Sequence, residues 1–130
     1  MNIEINGVTL QADFMDTDFM EVFELAAQET RDSINTNKNM QGCVAAKYRA
    51  MNQIVETFFN KVFGDGTSDR IFQGGKNVMV HLEALAKIEE AQRAEKKQLN
   101  DLSNRYTQRQ DSFRSMQGHR KKQNRRNNRS

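Results

Sequence analysis

A chain of 130 residues has the length of one domain, but a mean hydropathy of -0.88 with only 36% hydrophobic residues predicts one small core plus a polar extension. The net charge of +3 averages two unlike regions: residues 114–130 hold seven Lys or Arg and no acid, which leaves 13 of the 20 bases and all 17 acids to residues 1–111. A single cysteine, Cys43, excludes an intrachain disulfide, and no apolar run approaches the roughly 20 residues that span a bilayer, so the composition predicts a protein of a reducing cytoplasm with no membrane segment. The N-terminus lacks a basic segment followed by an apolar one, which predicts no export.

Proline and tryptophan are absent and long stretches are rich in Ala, Glu, Lys, Gln, Arg and Met, so the fold class expected is mainly α. The exception lies at the start. Asn6-Gly7 is the preferred pair for a type I′ turn, because both central residues need positive φ, and Ile5 and Val8 flank it. That register pairs Ile3 with Leu10 and sets Ile3, Ile5, Val8 and Leu10 on one face, with Glu4 and Thr9 on the other. A two-stranded hairpin is marginal alone, so its apolar face must lie on helices or on another subunit's hairpin.

Asp16-Thr17-Asp18 offers helix caps, with Asp18 and Glu21 at capping-box spacing. Phe19, Val22, Phe23, Ala26, Thr30 and Ile34 then form one stripe of an amphipathic helix with Glu21, Glu24 and Gln28 outside. The helix is expected to fail around Asn35 to Gly42, where poor helix formers and turn residues gather. A second helix is predicted over residues 43–63, its stripe made by Val44, Tyr48, Met51, Val55, Phe58, Phe59 and Val62, with Lys47, Arg49, Glu56 and Lys61 mostly opposite.

Residues 58–77 hold four of the eight phenylalanines and four of the seven glycines. Gly64 suits the left-handed residue that closes a helix, Thr67 or Ser68 can cap a single turn carrying Ile71 and Phe72, and Asn77 can cap the helix that follows. The stretch therefore reads as a structural hinge formed by Phe58, Phe59, Val62, Phe63, Gly64, Gly66, Ile71, Phe72 and Gly74.

The last helix starts with an apolar stripe, Val78, Leu82, Leu85 and Ile88, and the same line continues in sevens through Gln92, Glu95, Leu99, Leu102, Tyr106, Arg109 and Phe113. Between Glu89 and Gln98 nothing apolar exceeds alanine, as in helices that bridge through solvent. Continuous from Asn77 to Phe113, the helix would span about 55 Å, longer than a domain of this size is wide. The expected organisation is a compact helical domain with the hairpin over residues 1–90, a helical arm over 91–113 and a disordered basic tail over 114–130. The apolar line of the long helix, Leu85, Ile88, Leu99, Leu102, Tyr106 and Phe113, is the candidate partner-binding face.

Three motifs with chemical connotations have plainer readings. Gly64-Asp65-Gly66-Thr67-Ser68 has the glycines and hydroxyls of a phosphate loop, but the Gly-Lys-Ser/Thr ending is missing and no strand precedes it, so it reads as a cap and turn; Gly74-Gly75-Lys76-Asn77 fails the same way. Cys43, His81 and His119 are too few and too scattered for a metal site, and His81 beside the Leu82 stripe reads as a packed or interface histidine. Cys43 has no His or Asp at a telling spacing and reads as a small buried thiol. No cofactor is expected. The basic tail, Arg120, Lys121, Lys122, Arg125, Arg126 and Arg129, fits either nucleic acid, attracted by counterion release, or a solubilising segment that meets an acidic protein; only Phe113 and His119 near it could stack on bases.

The order Phe58-Phe59-x-x-Val62-Phe63-Gly64-Asp65-Gly66-Thr67-Ser68-Asp69-x-Ile71-Phe72-x-Gly74-x-x-Asn77, followed by Val78, Leu82 and Leu85, resembles the small tail assembly chaperones of long-tailed (siphovirus-type) phages and prophages of Gram-positive bacteria. With the hairpin and the preceding elements, the resemblance covers residues 1–90. It implies a cytoplasmic assembly factor, absent from the finished virion, that coats the helical, aggregation-prone tape measure protein and recruits the tail-tube protein that displaces it. It also implies a homo-oligomer and, often, a longer frameshifted product, and it carries no catalytic signature. The arm after Ile88 and the basic tail depart from the pattern, so no role transfers to them. The alternative expectation is a phage structural or nucleic-acid-binding protein that works through the basic tail.

Overall fold

The computed structural model describes the backbone of residues 1–129 and the side chains of residues 1–108. Six elements follow in order: strands β1 (Asn2–Ile5) and β2 (Val8–Gln11), then helices α1 (Thr17–Asn39), α2 (Val44–Phe63), α3 (Thr67–Phe72) and α4 (Val78–Arg129). The fold is mainly α, with an N-terminal hairpin and a long C-terminal helix. The chain divides into two units, Met1–Arg93 and Ala94–Ser130. The disordered tail expected over residues 114–130 lies outside the described side chains.

β1 and β2 pair antiparallel with Ile3 opposite Leu10 and Ile5 opposite Val8. Asn6 (φ 50°) and Gly7 (φ 80°) make the turn in the left-handed region, where asparagine and glycine are least strained. The pleat then puts Ile3, Ile5 and Leu10 into the core, and the alternation carries on through Ala12 and Phe14. The turn is tied down as well: Asn6 Nδ2 donates to the Ile71 carbonyl of α3 at 3.3 Å.

α1 is capped by Asp16, whose carboxylate accepts from the Phe19 N–H at 3.0 Å, so the Asp18–Glu21 box is not the cap. The helix also runs to Asn39, past the failure expected from Asn35. Its last turns are held by side chains: Thr36 Oγ1 donates to the Asp32 carbonyl, and the buried Asn37 donates to the Lys47 carbonyl of α2. A weak helix former is kept in the helix by a bond to its neighbour.

α2 begins one residue after Cys43, which is its N-cap and is exposed, contrary to the buried thiol expected. Its core face is Met51, Val55, Phe58 and Phe59. Val44 and Tyr48 belong to the same periodic stripe but are exposed, as is Val22 on α1. The stripe outruns the surface it packs on: Met51 is the first of its residues to be buried.

The centre of the core is a chain of phenylalanine rings. Phe14 meets Phe19 and Phe23 edge-on at 5.6 and 5.2 Å, Phe23 meets Phe58 at 5.9 Å, and Phe59 reaches Phe58, Phe63 and Phe72 at 5.5, 6.1 and 5.8 Å. Such contacts link α1, α2, α3 and the segment after the hairpin, and each good pair contributes about 0.5–1.5 kcal/mol beyond area burial. By contrast, the ion pair between α1 and α2, Lys61 Nζ to Glu29 Oε2 at 2.5 Å, is half exposed at both ends. Replacing Lys61 with methionine is therefore expected to change unfolding stability by no more than about 1 kcal/mol, read from urea titration.

Candidate functional site

The hinge residues gather into one packed corner. Phe58, Phe59, Ile71 and Phe72 are buried in the core, and Val62 and Phe63 pack against it. α2 stops at Gly64 (φ 109°, ψ 157°), a conformation essentially confined to glycine, and Gly66 (φ 86°) turns the chain into α3. Thr67 Oγ1 donates back to the Gly64 carbonyl at 2.7 Å, and Asn60 Oδ1 of α2 accepts from the Ser68 N–H at 2.9 Å. The cap of α3 thus comes from α2 and not from Thr67 or Ser68. The Thr67 N–H bonds to the Gly64 carbonyl and the Arg70 N–H to the Gly66 carbonyl, which closes the turn into α3. The second turn, through Gln73 (φ 50°) and Gly74 (φ 75°), ends at Asn77, whose Oδ1 accepts from the N–H groups of Met79 and Val80 and caps α4 as expected.

Beside this corner lies a polar cluster that periodicity did not reveal. His81, in the first turn of α4, is 1% exposed, and its ring stacks on Phe72 at 3.9 Å and 8°. Its Nδ1 lies 2.7 Å from the Asn77 carbonyl oxygen, and its Nε2 lies 3.2 Å from Glu56 Oε1 on α2. One turn earlier on α2, the buried Asn52 donates to the Lys76 carbonyl at 2.8 Å, while its Oδ1 has no donor among the described residues. His81 is the packed histidine expected. The parts of Asn52 and Glu56 were missed, and only their four-residue spacing hinted that they act together.

The candidate partner-binding residues separate into two groups. Leu85 and Ile88 are buried in the core of the first unit and are not available to a partner, because the first turns of α4 complete that core. Leu99, Leu102 and Tyr106 in the second unit are 47%, 65% and 68% exposed. Phe113 and the basic set Arg120, Lys121, Lys122, Arg125, Arg126 and Arg129 lie outside the described side chains. Within the first unit an open cleft of about 500 Å³ separates α1 from α2, with Phe58 and Ile54 among its lining and the Glu29–Lys61 pair at one side. Among the described residues no three His, Cys, Asp or Glu side chains group as metal ligands, and no helix is long and apolar enough to cross a membrane.

Compared with known proteins, residues 6–129 match a family model described as a family of unknown function (DUF6673). No curated protein and no solved structure matches the chain.

Proposed function

The chain belongs to the DUF6673 family, and we propose that it is a phage tail assembly chaperone, a binding protein without catalysis that works in the host bacterial cytoplasm. In this reading it binds and solubilises the tape measure protein and helps recruit the tail-tube protein, acting as a homo-oligomer. The observation that carries the reading is the Phe58–Asn77 motif, with its resemblance to such chaperones. The exposed apolar residues Leu99 and Leu102 support it, since a helix that presents an apolar stripe can lie along a client helix or in a client's groove.

Co-expression tests the reading. The tape measure protein should move from the insoluble to the soluble fraction when this chain is present, and equal insolubility with and without it would overturn the proposal. Leu99→Glu/Leu102→Glu should abolish that effect while shifting the unfolding midpoint of the first unit by no more than the equivalent of about 0.5 kcal/mol, because both side chains are exposed. The alternative reading, a phage protein that binds nucleic acid through residues 114–130, gains from salt-sensitive DNA binding that disappears when those residues are deleted.

A further inference from the structure

The second unit repeats one pattern in sevens. Leu99, Tyr106, Phe113 and Arg120 fall seven residues apart, and so do Glu95, Leu102, Arg109 and Met116, three places further along each heptad. Together the two sets hold every apolar residue of the unit larger than alanine. On the continuous helix α4 they form one seam of a coiled coil, the a and d positions. Leu99 and Leu102 are 47% and 65% exposed, and beyond residue 108 the seam is given by heptad position along the helical backbone.

A seam of this period is buried by another helix of the same period, and the charged positions within it decide the direction. A parallel pair of two copies would set Glu95 on Glu95, Arg109 on Arg109 and Arg120 on Arg120. It would also lay side by side two segments, residues 114–130, that each carry seven Lys or Arg and no acid. Like charges stacked in a seam repel and select against that arrangement.

We infer that the arms of two copies pair as an antiparallel coiled coil over residues 95–120, with Leu99 against Met116, Leu102 against Phe113, Tyr106 against Arg109 and Glu95 against Arg120 of the second copy. The pair has a two-fold axis, so each of these layers occurs twice. Apolar residues then meet apolar ones, the Tyr106 ring meets a guanidinium, and opposite charges close both ends. The neighbouring antiparallel registers fail. A shift of one heptad one way sets Phe113 opposite Glu95 and Leu99 opposite Arg109; the other way sets Leu102 opposite Arg120 and Phe113 opposite Arg109. The overlap is about 39 Å long at roughly 1.5 Å per residue. The resemblance to tail assembly chaperones stops at residue 90, so this pairing stands apart from that reading; a client helix laid on the same leucines would compete with the second copy.

Sedimentation equilibrium of the full chain, with no client present, tests the pairing. At high micromolar concentration the mass should be twice the 15.1 kDa of one chain. Glu95→Arg alone and Arg120→Glu alone should each weaken the dimer about tenfold, because each turns two attractions into two repulsions. Combining them in one chain, Glu95→Arg/Arg120→Glu, should restore the dissociation constant to within about threefold. That rescue belongs to the antiparallel pair, since a parallel one would keep like charges on like in the combined variant and gain nothing. The mass of a single chain, a change below about twofold for either single reversal, or a combined variant no tighter than the single ones would overturn the inference.

Discussion

Phe59→Ala is expected to destabilise the first unit by about 3–5 kcal/mol. The Phe59 ring is fully buried and contacts three other rings, which join α2 to itself and to α3. Removing such a ring from a packed core costs about 3–5 kcal/mol, the transfer term plus the cavity left behind. A unit of 93 residues has a total stability of roughly 5–14 kcal/mol at about 0.05–0.15 kcal/mol per residue. One substitution therefore removes from about a fifth to nearly all of what holds the fold together. Urea titration followed by far-ultraviolet circular dichroism checks this, with Phe59→Leu, which keeps an apolar side chain but three carbons fewer, as the control with the smaller loss. A loss below about 1 kcal/mol for Phe59→Ala would mean that the ring chain is not the centre of the core.

Gly64→Ala is expected to cost about 1–3 kcal/mol for a different reason. A Cβ there would meet nothing within 4 Å, so space is not the obstacle. The backbone is: φ 109° with ψ 157° lies where L side chains rarely go, and the Gly64 N–H and carbonyl are both committed, to Asn60 and Thr67. Alanine would have to strain that conformation or release the cap between α2 and α3. Gly42 supplies the comparison, since it has the same open space without a positive φ. Gly42→Ala should be neutral or stabilise by up to about 1 kcal/mol through the unfolded state. Equal effects at the two sites, measured in the same titration, would show that the corner tolerates rearrangement.

Much of this corner was legible before any coordinates. Glycines after Val62-Phe63 and an asparagine before Val78 carry local backbone chemistry, and both ends sit where that chemistry demands. The cap of α3 was misassigned because its acceptor, Asn60, lies eight residues from Ser68 on another helix. Heptad spacing grouped Leu85 and Ile88 with Leu99 and Leu102, but the first two are core and the last two are exposed. Periodicity reports which residues share a helix face and says nothing about where along the helix a neighbour stops.

The chain's own residues determined the hairpin and its register, the helical class, the boundaries of α2 and the cap of α4, because each depends on φ preferences or bonds within a few residues. The tertiary structure alone decided three other matters. It exposed Val22, Val44 and Tyr48 from otherwise regular stripes, held α1 helical through Asn39 by the Asn37–Lys47 bond, and brought His81 to Glu56, 25 positions apart. Each of these depends on where one element ends against another. That is set by the packing of the whole first unit and leaves no local mark in the sequence.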